Sequence, residues 1–210
     1  MAVLGEGHIM PTLEELKEID LSYMITISKE SGVVPEVVIE NELREPPGVV
    51  PYPLYAYFST LFDNGVILDV GTLHGGSALA AAYNPTNQVI SYEVTPHIEY
   101  EKIKKDNVTF KLMDFREDDT LNFDEVKMII IDTDHTGAQE REFMKFLSEK
   151  KWVGTLLLDD IHKNSAMRGF WRNVDDGVKM DLSYFGIGHT ASCGTGYVEF
   201  NLENMTYAWA

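Results

Sequence analysis

The chain has 210 residues, 44% of them hydrophobic, and a formal net charge of −17 at pH 7. A chain of this length and composition can bury one hydrophobic core without disulfides, so a single domain is expected. Its negative charge repels phosphate backbones and anionic membrane surfaces. We therefore expect no nucleic acid and no membrane among its partners, and a small molecule instead.

The expected location is the cytoplasm. Cys193 is the only cysteine, so no disulfide can form within the chain, and the first basic residue is Lys17, so the charged start of a signal peptide is missing. No apolar run approaches the roughly 20 residues of a membrane span. The sequence leaves open whether the protein is a homo-oligomer.

Residues 1–63 are predicted to form an N-terminal helical or lid segment of the same domain. Thr12 and Glu15 fit a capping box, and the apolar positions after them predict one amphipathic helix that ends at Ser31–Gly32. Residues 42–53 contain four prolines and a glycine, which predicts a linker or lid.

Residues 64–210 are predicted to form an α/β core. Strand-like apolar runs alternate with helix-like segments in this part, which is typical of a parallel sheet covered by helices on both faces. The runs are VILDV, QVISYEV, NVTFKLM, VKMIIID and GTLLLDD. A last helix is expected at about residues 164–178. The runs DLSYFGIG and TGYVEFNL then predict a closing antiparallel pair.

The stretch ILDVGTLHGGSALA, residues 67–80, predicts a strand, a glycine turn and the start of a helix. Such junctions bind nucleotide-like ligands in α/β proteins. Two glycines after Asp69, Gly71 and Gly75, would let the backbone approach the ligand. Leu73 stands where a pyrophosphate fingerprint needs its middle glycine, so a dinucleotide is the weaker interpretation.

Acidic residues follow all five apolar runs of this predicted sheet. Ligands gather beyond the carboxyl ends of parallel strands, so these acids are candidate site residues. Each one alone is better explained as a helix cap or turn residue, but five strand ends in succession favour a site. Glu93 lies about 20 residues after the glycine turn, where a carboxylate can accept both hydroxyls of a ribose. The acids are Asp69, Glu93, Asp114, Asp132 and the pair Asp159–Asp160.

The fourth and fifth runs carry the densest group of acids. Neighbouring strands would present Asp132, Asp159 and Asp160 at one mouth, and three carboxylates suit Mg²⁺ or Ca²⁺. Thr136 and Gln139 fit a capping box, which predicts that a helix begins directly after the preceding histidine.

The motif DVGTLHGGS resembles the first motif of class I S-adenosylmethionine-dependent methyltransferases, in the variant found in small-molecule O-methyltransferases. The resemblance covers roughly residues 64–200. It implies a Rossmann-like, doubly wound sheet of seven strands, mostly parallel with an antiparallel C-terminal strand. It also implies S-adenosylmethionine as cofactor, with Glu93 on the ribose and Asp114 beside the adenine. The implied cofactor-binding residues are Asp69, Gly71, Thr72, Gly75, Ser77, Glu93, Asp114 and Asp132.

The IDTDH and LDD segments are similar to those of metal-dependent O-methyltransferases that act on sugars or other hydroxylated metabolites. This resemblance implies that Asp132, Asp159 and Asp160 hold Mg²⁺ or another divalent cation, and that His135 acts as the base. Catechol-type enzymes usually end the fifth strand with D-N, so Asp160 favours the first group. The implied acceptor is a hydroxyl of a small molecule. His162 is the second candidate for the base.

Two other functions are compatible with the same residues. A nicotinamide-dependent oxidoreductase shares the glycine turn and the ribose acid, and a non-catalytic, methyltransferase-like protein would bind the cofactor without turnover. His135 is also open to interpretation as a helix-start or solvent-facing residue. Phe170 and Trp171 are predicted to fill the core, whereas Tyr52 and Tyr55 either pack on the sheet or lie near the substrate.

Overall fold

The computed structural model describes residues 10–45, 49–174, 179–187 and 193–201. Within them, the strands are β1 Val66–Val70, β2 Gln88–Glu93, β3 Val108–Leu112, β4 Val126–Ile131, β5 Gly154–Leu158, β6 Lys179–Asp181 and β7 Gly196–Phe200. The helices are α1 Leu13–Lys17, α2 Tyr23–Ser31, α3 Glu36–Arg44, α4 Tyr52–Ser59, α5 Gly76–Ala81, α6 Ala138–Glu149 and α7 Ser165–Asn173. No helix in these ranges combines the length and the apolar character needed to cross a bilayer.

The strands form one seven-stranded sheet in the order β3-β2-β1-β4-β5-β7-β6. Strands β1 to β5 are parallel, and β7 is antiparallel to both of its neighbours. The prediction of a mostly parallel, Rossmann-like sheet is therefore confirmed. Because the chain turns from β1 outward to β3 and then returns to β4, the carboxyl ends of β1 and β4 border a crevice in which α/β proteins bind ligands.

Two hydrophobic cores cover the two faces of the sheet, as alternation along the strands requires. In β1, Ile67 packs on the face covered by α4 and α5, whereas Leu68 packs on the opposite face. Phe170 and Trp171 lie in this second core, as predicted. Burial on both faces explains why the central strands are almost continuously apolar.

The N-terminal segment differs from its prediction in two places. The capping box of Thr12 and Glu15 forms, but α1 ends at Lys17 and a second helix follows. Asp20 accepts a hydrogen bond from the Ser22 amide at 2.9 Å, and such a local turn competes with a continuous helix.

The irregular segment within the proline-rich stretch, residues 42–53, is also shorter than predicted. Helix α3 continues to Arg44 and α4 begins at Tyr52, while residues 46–48 lie outside the described ranges. Proline is tolerated in the first turn of a helix, so Pro53 does not prevent α4. Leu54 and Tyr55 are buried, so α4 belongs to the core.

The C-terminal part was predicted with one error of type and two of boundary. The predicted antiparallel pair forms between β6 and β7, but β6 ends at Asp181, the first residue of the DLSYFGIG run, and a 3-10 helix follows over Leu182–Phe185. The Asp181 carboxylate accepts from the Ser183 amide at 3.1 Å and caps that helix. The last helix ends at Asn173, and residues 175–178 are outside the described ranges. Helix α6 begins at Ala138, two positions later than predicted.

Candidate functional site

The glycine turn after β1 brings two strand ends into contact. Gly71 has a φ of +100°, and a Cβ atom there would lie 1.7 Å from the carbonyl oxygen of Asp132. The turn therefore requires glycine at this position. Leu73 also has a positive φ of 44°, and its amide donates to Oε2 of Glu93 at 3.2 Å. The turn is thus joined to the ends of both β2 and β4.

A buried hydrogen-bond network supports this turn from below. Asp69 is fully buried and accepts a hydrogen bond from Ser91 Oγ at 2.6 Å, and the Ser91 hydroxyl is also hydrogen-bonded to Thr72. Burial raises the pKa of Asp69 to about 7, although hydrogen bonds from Ser91 and Ser77 act in the opposite direction. Asp69, Thr72 and Ser77 are not in the lining of the adjacent cavity, and these hydrogen bonds join Asp69 and Thr72 to the turn through Ser91.

The cavity lies beyond the carboxyl ends of the central strands and has a volume of about 530 Å³. This size suits a nucleoside-like ligand together with a small second molecule. Among the predicted site residues, it is lined by Gly71, Glu93, Asp114, Asp132, His135, Asp159 and Asp160. Gly75 is a turn residue outside this lining.

Two acids on one side of the cavity are held in fixed orientations. Oε1 of Glu93 accepts from the amides of Val94 and Thr95, at 2.8 and 3.1 Å. Asp114 forms an ion pair with Arg116, with 2.6 Å between Oδ2 and Nη2, and the hydrogen bond from this guanidinium lowers the pKa of Asp114. Both carboxylates are therefore ordered before any ligand binds.

On the other side of the cavity, three side chains converge from β4 and β5. One ligand atom each from Asp132, His135 and Asp160 lie within 4.8 Å of one another. His135 Nε2 is 3.2 Å from Asp132 Oδ1 and 3.3 Å from Asp160 Oδ2. Two carboxylates and an imidazole form a donor set that fits a divalent cation. We refer to these three residues as the acid–imidazole group.

The backbone of this group adopts a strained conformation. His135 and Asp160 have φ values of 54° and 57°, which side chains other than glycine adopt at a cost. Asn164 fixes the first of these turns, because its Nδ2 donates to the carbonyl oxygen of His135 at 2.8 Å. Strain of this kind at two strand ends that face one cavity is typical of a functional site.

The carboxylates and the imidazole of this group stabilise each other's charged forms. Burial acts to lower the pKa of His135, but the hydrogen bond with Asp132 and the charges of Asp132 and Asp160 outweigh it, so the pKa is raised above 6.5. Burial acts to raise the pKa of Asp160, but Lys163, His135 and the Cys193 thiol outweigh it, so this pKa is lowered. The two carboxylates therefore favour the protonated form of the imidazole.

Asp159 and His162 have other surroundings. Asp159 is only 3% exposed and accepts from Thr195 Oγ1 at 3.4 Å, and it does not belong to the acid–imidazole group. His162 Nε2 lies 2.6 Å from Asp181 Oδ2 and is not part of the cavity lining. The structure thus brings Asp132 and Asp160 together with His135, and it places the second candidate base elsewhere.

Several solved structures resemble this chain, whereas no protein-family model and no curated protein matches it. The S-adenosylhomocysteine-bound methyltransferase PaMTH1 of Podospora anserina has 16% sequence identity and a TM-score of 0.57, over 93% of this chain and 99% of its own. The O-methyltransferase TomG of Streptomyces achromogenes, involved in tomaymycin synthesis and solved with S-adenosylmethionine, has 14% identity and a TM-score of 0.55, over 88% and 91%. Cofactor-bound Rv0187 from MTB has 15% identity and a TM-score of 0.53, over 86% and 88%. The chain has the class I methyltransferase fold.

In this methyltransferase fold, Lys163 is a cavity residue that the sequence did not reveal. Its Nζ lies 2.7 Å from Asp160 Oδ2, and among the described residues it is the only lysine or arginine in the lining. Its spacing of three residues from Asp160 is the only signal in the sequence, and such spacing is common. Ser91 was missed as well, although it lies directly beside Asp69 in the register of β1 and β2.

Proposed function

We propose that the chain transfers a methyl group from S-adenosylmethionine to a hydroxyl of a small molecule, with a divalent cation and a histidine base. One observation carries the proposal. A single cavity of the methyltransferase fold has a preoriented carboxylate, Glu93, on one side and the acid–imidazole group on the other. Cofactor and acceptor would thus meet at the carboxyl ends of the strands.

Glu93 is the residue proposed to bind the ribose. Its two oxygens already accept three backbone amides, from Leu73, Val94 and Thr95, so the carboxylate does not have to be ordered when the hydroxyls bind. Asp114 lies on the same side and is proposed to lie beside the adenine. The glycine turn lets the backbone approach the cofactor.

Asp132 and Asp160 are proposed to hold the cation, and His135 to accept the proton of the acceptor hydroxyl. A bound divalent cation acts as a Lewis acid that lowers the pKa of this hydroxyl. Neutral imidazole is the form that accepts a proton, and the flanking carboxylates then stabilise the imidazolium. Lys163 holds Asp160 in place through its 2.7 Å ion pair.

The decisive experiment replaces the two histidines separately. His135→Ala should lower kcat by roughly 10²-fold or more, the usual size of a general-base contribution, and leave S-adenosylhomocysteine affinity unchanged. His162→Ala is the matched control and should retain turnover, because its imidazole is paired with Asp181 outside the cavity lining. The reverse result, with kcat lost in His162→Ala only, would transfer the role of base to His162.

Metal dependence needs its own test. Excess EDTA should abolish turnover while calorimetric titration with S-adenosylhomocysteine still gives the same affinity, because the acid–imidazole group and Glu93 lie on different sides of the cavity. Full activity in EDTA would refute the role of the cation. Cofactor binding without methyl transfer to any hydroxylated acceptor would favour the non-catalytic alternative.

A further inference from the structure

The start of helix α7 contacts both strand-end turns that carry the acid–imidazole group. On one side, a Cβ atom at Gly137 would lie 2.6 Å from the carbonyl oxygen of Ala166, so the turn after β4 packs tightly against the first turn of α7. On the other side, the Lys163 amide donates to the Asp160 carbonyl oxygen at 3.0 Å, which closes the turn after β5 directly before the helix. Position 164 therefore lies between the two turns.

The side chain of Asn164 makes one hydrogen bond to each side. Its Oδ1 accepts from the Met167 amide at 2.9 Å and caps α7. Its Nδ2 donates to the carbonyl oxygen of His135 at 2.8 Å. The oxygen of a side-chain amide only accepts and its nitrogen only donates, so the two contacts together define the orientation of the group. Because the cap fixes the oxygen at the helix, the nitrogen is aimed at His135.

The hydrogen bond from Asn164 acts on a residue with a strained backbone. The φ of His135 is 54°, which lies in the left-handed region. For a residue with a side chain, the free-energy cost of this conformation is similar in size to the net gain from one hydrogen bond. A single hydrogen bond to the His135 carbonyl is therefore enough to decide whether the left-handed conformation persists.

The backbone conformation of His135 in turn sets the geometry of the acid–imidazole group. His135 Nε2 lies 3.2 Å from Asp132 Oδ1 and 3.3 Å from Asp160 Oδ2, so the ring stands between carboxylates from two different strands. A change of φ from the left-handed to the right-handed region would turn the ring away from both. The two carboxylates would then lose the group that holds them at this spacing.

We propose that Asn164 is a positioning residue for the divalent-cation site, because its amide joins the start of α7 to the left-handed turn at His135. Asn164 is not in the cavity lining, so it acts through the His135 backbone and not by contact with a ligand. Residues behind the ligands of a metal commonly set its affinity, and their loss weakens metal binding about 10- to 100-fold. The inference rests on the proposed function, since it assumes that the acid–imidazole group binds a cation.

The experiment separates the two hydrogen bonds of Asn164 and measures Mn²⁺ and S-adenosylhomocysteine binding by calorimetry on the full chain. In Asn164→Ser the hydroxyl still caps α7, but the shorter side chain cannot donate to the His135 carbonyl. Mn²⁺ binding should weaken about 10- to 100-fold, with S-adenosylhomocysteine affinity unchanged. Thr12→Ala is the matched control, because it removes the cap of α1, where Thr12 Oγ1 accepts from the Glu15 amide at 3.2 Å. It should leave both affinities unchanged.

Asn164→Asp provides an independent variant if Asn164→Ser fails to fold. Its carboxylate caps a helix as well as asparagine does but has no hydrogen to donate to His135. The added negative charge alone would strengthen cation binding, so weaker Mn²⁺ binding in this variant would come from the lost hydrogen bond. Mn²⁺ affinity equal to that of the wild type in Asn164→Ser would overturn the inference.

Crystal structures of the two variants without metal give a readout that does not depend on Mn²⁺. The His135 ring should leave its position between Asp132 and Asp160, and a ring that stays at the distances of the wild type would overturn the inference. Failure of the proposed metal site is distinguishable, because the unaltered protein would then not bind Mn²⁺, while the position of the ring would still test the role of Asn164.

Discussion

Asp69 shows how a single residue under the glycine turn couples stability to pH. Its carboxyl group is fully buried, and burial raises its pKa to about 7. The folded protein therefore holds a proton on Asp69 over a range in which the unfolded chain has released it. The stabilising contribution is complete below about pH 4, the ordinary pKa of aspartate, and is lost as the pH rises to 7.

The stability of Asp69→Asn relative to the wild type should therefore increase as the pH rises. The free energy of unfolding of the variant minus that of the wild type should increase between pH 5 and pH 8, by up to a few kcal/mol, because asparagine has no charge to desolvate. Its amide oxygen can still accept from Ser91. Urea denaturation at the two pH values measures this difference.

Asp114→Asn is the control for this measurement. The hydrogen bond with Arg116 lowers the pKa of Asp114, so its titration lies below the same pH window. The difference in the free energy of unfolding should consequently stay constant from pH 5 to pH 8. If the difference in the free energy of unfolding for Asp69→Asn is also constant from pH 5 to pH 8, Asp69 is ionised in the folded protein throughout this range.

The sequence predicts at which strand ends these acids lie, but it does not predict which groups surround them. A residue that ends an apolar run, such as Glu93 or Asp114, is predicted to lie at the carboxyl end of its strand. The carboxyl ends of parallel strands meet at one edge of the sheet. Whether a side chain then lines the cavity depends on the conformation after the strand. The left-handed backbone conformation of Asp160 turns its side chain toward His135. No residue type in the LDD segment predicts that conformation.

At the scale of elements, the contact between the β1 turn and the end of β4 positions the site. Gly71 packs against the Asp132 carbonyl so closely that no side chain fits there. Gly71→Ala should lower the free energy of unfolding by at least about 2 kcal/mol, because it combines a positive φ with a backbone clash. Binding of S-adenosylhomocysteine should be weakened as well, which calorimetry on the folded fraction measures.

Gly169→Ala is the matched control within α7. A Cβ atom at Gly169 would meet nothing within 4 Å, and alanine has a higher helix propensity than glycine. This variant should be more stable by about 0.5 to 1 kcal/mol and should bind the cofactor normally. Equal effects of the two substitutions would show that the contact at Gly71 is not tight in solution.

Element boundaries were the least predictable feature, and the causes are local. The N-terminal apolar positions keep helical spacing across the break before Ser22, so periodicity alone cannot detect the turn that Asp20 caps. The run beginning at Asp181 has strand-like composition, but its carboxylate caps a 3-10 helix instead. In both places, a side-chain to backbone hydrogen bond overrides the hydrophobic pattern.

For the whole molecule, the seven-stranded order is the part that the sequence specified best. Alternating strands and helices with right-handed crossovers leave few possible topologies, and the resemblance to methyltransferases selects one of them. The surroundings of Asp159 differ from those of Asp160 through Thr195, which is distant from both in the sequence. No pattern within one segment can predict such a contact.

Both proposed ligands should stabilise the whole fold against heat. At about 100 times its dissociation constant, a ligand of the folded state adds about 2.7 kcal/mol of stability. For a chain of this size, each kcal/mol raises Tm by about 2–4 °C, so S-adenosylhomocysteine and Mn²⁺ should each raise Tm by about 5–10 °C. Their effects should be roughly additive, because the two ligands occupy different sides of one cavity. Differential scanning fluorimetry of the wild type and Asp160→Asn, which should lose only the Mn²⁺ effect, measures this. A shift with NADH and none with S-adenosylhomocysteine would instead identify a nicotinamide-binding protein on the same sheet.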